Sequence, residues 1–74
     1  MQHDWIIQVA SFSKRENAEK VEMILTDNDF ITHRELTSNG YIRIILKDIS
    51  NNDIESVKNR LKDLGFPGTL LRKP

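Results

Sequence analysis

From Trp5 to Ser11 the chain reads Trp-Ile-Ile-Gln-Val-Ala-Ser, an apolar and largely β-branched run broken by one polar residue, Gln8. This predicts a strand with Trp5, Ile7 and Val9 on one face and Ile6, Gln8 and Ala10 on the other. The period then changes from two to that of a helix. Ala18, Val21, Ile24 and Leu25 form one stripe, and Glu19, Lys20 and Glu22 lie off it. Ser13 and Glu16 read as a capping box that opens this helix. Asn28, within Asp27-Asn28-Asp29, is the expected left-handed residue that closes it.

A second strand is expected roughly from Phe30 to Leu36, interrupted by His33 and Arg34. Ser38-Asn39-Gly40 signals a tight turn, so the next strand returns as a hairpin. In Tyr41 to Leu46 the alternation puts Ile42, Ile44 and Leu46 on one face and Tyr41, Arg43 and Ile45 on the other. Ser50 and Asp53 predict the start of a second helix with Ile54, Val57, Leu61 and Leu64 on its stripe. Gly65 ends it, Pro67-Gly68 turns, and Thr69 to Arg72 makes a last short strand. The order is βαββαβ, and its halves echo each other at an offset of about 36 residues. The fold class is therefore α+β, ferredoxin- or RNP-like: a four-stranded antiparallel sheet with two helices on one face. Any function carried by the sheet then lies on the face without helices.

Composition narrows what that face can do. Eleven basic residues offset eleven acidic ones, which argues against affinity based on neutralising phosphates. There is no cysteine, hence no disulfide framework or thiolate metal site. His3 and His33 are not at ligand spacing, so no metal or other cofactor is expected. His3 reads as tail and His33 as a strand residue. A chain of 74 residues must spend its apolar surface on one packed core and has little left for a buried catalytic cleft. No serine sits in a nucleophile elbow and no glycine-rich loop could cradle a phosphate, so an enzyme is not expected. No apolar run approaches a membrane span, and no signal-peptide core is present. Met1-Gln2-His3 reads as the scar of a cut from a longer exported protein.

In a ferredoxin-like order the first and third strands are central neighbours. Ile6, Gln8, Ala10, Tyr41, Arg43 and Ile45 are then expected to form one patch. An aromatic plate, a guanidinium fork and a carboxamide suit a hydroxylated, lightly anionic polymer, since rings stack on sugar faces, amides bond hydroxyls and arginine takes a carboxylate bidentately. On pattern alone, the plainer reading of Tyr41 and Arg43 is as ordinary outward strand residues. Asp27 and Asp29 read as turn residues, Lys58, Arg60 and Lys62 as a solvated helix face, and Trp5 as a rim or core residue.

The segment Trp5 to Ser13, followed by Glu16, Asn17 and Ala18, resembles the opening of the SPOR (sporulation-related) domain family. That family begins with an aromatic, valine-glutamine and a glycine-serine-phenylalanine turn ahead of a capped helix. Gly40-Tyr41-Ile42-Arg43-Ile44 is similar to its glycine-aromatic-x-arginine-valine strand. Asp53-Ile54 and Leu61 to Phe66 resemble its second helix and glycine-aromatic exit. The resemblance runs from Trp5 to Arg72, with residues 1–4 as tail or remnant, 5–72 as the domain and 73–74 as C-terminal tail. It implies the βαββαβ fold and binding to peptidoglycan, with a preference for glycan strands stripped of their stem peptides. It also implies a place in the bacterial envelope, commonly at the division septum, as the C-terminal domain of an exported or membrane-anchored protein. The parent could itself be a lytic transglycosylase or an amidase. Carried over, the binding positions fall on Gln8, Ser11, Tyr41, Arg43 and Leu71, and Ser11 would need a local bulge to share the face of Gln8. Three stretches depart from the pattern: Ala10 stands for the usual glycine, Lys47-Asp48-Ile49 for glycine-proline-phenylalanine, and Asn28-Asp29-Phe30 for alanine-glycine-phenylalanine. No nucleic-acid or membrane partner is expected of the domain, and it is expected to be a monomer. Two alternatives remain open here, a single-stranded RNA binder of RRM type and a ferredoxin-like interaction or regulatory domain. The first lacks a second sheet aromatic, and the second would dimerise through a sheet edge.

Overall fold

The computed structural model describes residues 4–73; the tail reading of Met1-Gln2-His3 falls outside them. The elements are β1 (Trp5–Phe12), α1 (Arg15–Asp27), β2 (His33–Leu36), β3 (Ile42–Ile49), α2 (Ile54–Asp63) and β4 (Leu70–Arg72), in the expected βαββαβ order. They form one antiparallel sheet ordered β2-β3-β1-β4, so β1 and β3 are the central pair. The core is one cluster between sheet and helices. Ile7, Val9, Ile44 and Leu46 enter it from the sheet, Ala18, Val21 and Leu25 from α1, and Val57 and Leu61 from α2. Phe30 completes it, and Phe12, Ile42, Ile49, Leu64 and Phe66 pack around its edge.

The helix ends differ from the expected caps. Lys14, not Ser13, is the N-cap of α1, and no side chain caps that end. The closing turn of α1 puts the left-handed residue at Asp29 (φ 67°), one position later than expected, while Asn28 donates its side-chain amide to the Ile24 carbonyl at 2.8 Å. Aspartate is among the few non-glycine residues that adopt this left-handed conformation readily. Arg60 of α2 ties the same turn down, donating to the Asn28 carbonyl at 2.7 Å with its guanidinium 4.3 Å from the centre of the Phe30 ring. Ser50 and Asp53 bond each other at 2.8 Å in the turn before α2, and the Asp53 side chain does not cap the helix. Gly65, at φ 98°, ends α2 as expected.

Two bulges re-aim the central strands. The register of β1 on β3 runs Trp5 opposite Ile49, then Ile7 opposite Leu46, so β3 carries an extra residue there, next to Asp48 at φ 59°. It then runs Gln8 opposite Ile45 and Ala10 opposite Ile44, so the extra residue is on β1, at Val9. Strict alternation along β1 therefore breaks at Val9.

Candidate functional site

Residues paired across an antiparallel ladder point to the same side of the sheet. Beyond the Val9 bulge, Ala10 pairs with fully buried Ile44, Ser11 with Arg43 and Phe12 with Ile42. Ser11 thus joins Gln8 and Arg43 on the helix-free face, and Ala10 turns under the helices, where it packs against the core. This corrects the expected placement of Ala10 in the outward patch, which assumed unbroken parity. Leu71 is also displaced from the expected face. It pairs with Ile7, a core residue, whereas Leu70 pairs with Gln8 and Arg72 with Ile6. The helix-free side of β4 is therefore built by Leu70 and Arg72.

Tyr41 lies just before β3, yet it continues the β2–β3 ladder. Thr37 donates its backbone N–H to the Tyr41 carbonyl at 2.9 Å, and the Tyr41 N–H returns to the Thr37 hydroxyl at 3.0 Å. Extending the pairing of Leu36 with Ile42 by one step puts Tyr41 two residues from Arg43 on the same face, 47% exposed. Gly40, at φ 86°, makes the turn that delivers it. Gln8, Ser11, Tyr41 and Arg43 therefore come together on one face, with Ile6 beside Arg72 at its margin.

The face has two further members that sequence reasoning missed. Glu35 of β2 pairs with Arg43 in register and accepts a hydrogen bond from it at 3.2 Å. Arg72 of β4 donates to both oxygens of the same carboxylate, at 2.9 and 3.1 Å, and to the Gln8 side-chain oxygen at 3.3 Å. β2 and β4 are the two outer strands, about 14 Å apart at ordinary strand spacing, and the two residues are also offset along the strands. A glutamate and an arginine could not meet across that diagonal on a flat sheet. The contact reports a sheet coiled concave on this side, and bulges add to such coiling. The ion pair runs past Gln8, and Ile45, which pairs with Gln8 on this face, is only 2% exposed.

Electrostatically the cluster is one carboxylate between two guanidinium groups. The bonds from Arg72 first and Arg43 second lower the pKa of Glu35 to about 2, and its carboxylate raises that of Arg72 in return. On the opposite side of the sheet Arg34 makes a separate bidentate pair with Glu22 of α1. That pair ties helix to edge strand and does not touch the platform. Trp5 pairs with Ile49 toward the helices, and Lys73 lies 5.4 Å from its ring centre, so it is a rim residue and not part of the platform.

A split βαβ sheet, helices behind and a concave polar platform in front, defines a small binding domain whose site is built from all four strands and one hairpin end. The chain belongs to the SPOR domain family, whose model matches residues 2–72. Among solved structures it is similar to the peptidoglycan binding domain of the B. subtilis cell wall lytic enzyme CwlC. That likeness has a TM-score of 0.78 at 16% identity and covers 100% of this chain and 92% of the other. No curated protein matches the chain.

Proposed function

We propose that this chain is a non-catalytic peptidoglycan-binding module. It lays a glycan strand, stripped of stem peptides, across the concave helix-free face. The observation that carries the reading is the convergence of Tyr41, Arg43, Gln8 and Ser11 on that face in a domain of this family. The solved domain of similar fold is itself described as a peptidoglycan binding domain, which supports the reading.

The chemistry follows from the groups present. The Tyr41 ring offers a half-exposed apolar plate to the C–H face of a sugar ring. Gln8 and Ser11 supply amide and hydroxyl partners for sugar hydroxyls and acetamido groups. Arg43 takes the lactyl carboxylate of an N-acetylmuramic residue. In strands that keep their peptides this carboxylate is locked in an amide, and the attached peptide adds bulk, so a preference for stripped strands has a physical cause. On this reading the domain acts as a monomer, touches neither nucleic acid nor membrane, and targets a larger exported or membrane-anchored protein to the envelope and the division septum. An RNA strand finds less to hold: Tyr41 is the only aromatic that the described register puts on this face, where RNA-binding sheets stack two or three bases.

Co-sedimentation with intact and amidase-treated sacculi tests the reading. Wild-type protein is expected to pellet preferentially with the treated material, and Arg43→Ala and Tyr41→Ala each to lose most of that binding while keeping a wild-type circular dichroism spectrum. Folded variants that pellet as well as wild type would rule the site out.

A further inference from the structure

The face proposed to take a sugar carboxylate already holds a carboxylate of its own. Glu35 accepts from Arg43 and, through both oxygens, from Arg72, and the bridge runs past Gln8, across the platform. The side chain of Gln8 is engaged by Arg72 as well. A carboxylate carried by a glycan strand competes with Glu35 for these guanidinium groups, whose side chains are 41% and 33% exposed. We infer that Glu35 is a built-in stand-in for the ligand's carboxylate, and that Arg72 is a second carboxylate-binding residue alongside Arg43. This rests on the glycan reading above and adds a specificity rule to it.

The rule follows from charge. Glu35 and the two arginines carry a net charge of one positive unit while Glu35 sits between the guanidinium groups. A strand with a free lactyl carboxylate can displace Glu35 and leave both arginines paired. A strand whose carboxylate is amidated can only open the bridge, leaving Glu35 and two like charges without partners, which disfavours binding. The site therefore discriminates by exchange: the internal carboxylate raises the threshold for every ligand, and only a ligand with the same group compensates. Arg43 and Arg72 reach Glu35 from different strands, so one incoming carboxylate with two oxygens can satisfy both.

The test compares wild type, Glu35→Gln and Glu55→Gln, the last adding the same charge on the exposed first turn of α2, away from the platform. Each is measured by co-sedimentation with amidase-treated sacculi, and with the same sacculi after their carboxylates are coupled to ethanolamine. Glu35→Gln keeps an acceptor for the arginines but no longer competes as an anion. It is expected to bind untreated-carboxylate sacculi about three- to fivefold more tightly than wild type at low salt, the scale of one accessible ion pair. The gain should fade at about 0.5 M salt, where the Debye length is only a few ångströms. Glu55→Gln should show no gain, and on ethanolamine-coupled sacculi wild type should bind most weakly while Glu35→Gln keeps its advantage over it, because Glu35 raises the threshold for every ligand. Wild-type binding with no gain for Glu35→Gln, or an equal gain for Glu55→Gln, overturns this proposal and leaves the glycan reading intact. Absence of binding by every protein overturns both together.

Discussion

The bridge across the platform makes a direct claim about one proton. Glu35 is lowered from an ordinary value of 4.5 to about 2, by the Arg72 bond first and the Arg43 bond second. Near pH 3.25, midway between those values, its carboxylate should be about 95% ionised in the folded domain, against about 5% for an unpaired glutamate. Because the folded pKa is the lower one, the bridge stabilises the fold above the ordinary glutamate range. That contribution is lost as pH falls through 4.5 toward 2. Carbon-detected NMR of the Glu35 side-chain carboxyl follows the titration residue by residue. Wild type should show a midpoint close to 2, Arg72→Gln should raise it most, and Arg43→Gln should raise it less. The stability gap between wild type and Glu35→Gln should shrink over the same interval. A wild-type midpoint above about 4, or a larger rise from Arg43→Gln than from Arg72→Gln, refutes the bridge as the organiser of this face.

Other substitutions separate face from core. Leu70→Ala should weaken binding to amidase-treated sacculi more than Leu71→Ala, since Leu70 shares the face of Gln8 and Leu71 that of Ile7; pelleting assays decide. Ala10→Gly, toward the residue usual in the family, should leave glycan binding unchanged because Ala10 packs against the core, while costing about 0.5–1 kcal/mol in a urea melt through backbone entropy. Leu61→Ala removes a fully buried side chain of α2 and should cost about 2–5 kcal/mol in the same melt. In so small a domain that is enough to populate the unfolded state at 37 °C, which the amide NMR spectrum would reveal.

Much of this architecture is legible in local patterning. The split βαβ order, the core-facing residues of β3 and both helix stripes, apart from Ile24, which is 40% exposed at the edge of the α1 stripe, follow from periodicities of two and 3.6, because burial of an apolar face is dictated residue by residue along each element. The platform's position in front of β1 and β3 follows as well, since that topology leaves one face without helices. Parity also identified Gln8, Tyr41 and Arg43 as outward residues, and the family resemblance added Ser11, whose orientation needed a bulge.

What alternation could not supply is where it stops. The Val9 bulge moves Ala10 under the helices and Ser11 onto the platform, and a ladder irregularity of this kind depends on how two strands pair, not on either strand alone. The register of β4 likewise exchanges Leu71 for Leu70, because a three-residue edge strand has too little pattern of its own to set which face meets the core. The Glu35–Arg72 bridge joins residues 37 positions apart on opposite edges of the sheet, and only the coil of the assembled sheet brings them within 2.9 Å. Local patterning thus determined the elements, their order and the side of the sheet available for binding, because each depends on burial within a segment. Pairing register and sheet curvature, which exist only once distant segments meet, decided which side chains stand on that side and which charges hold it closed.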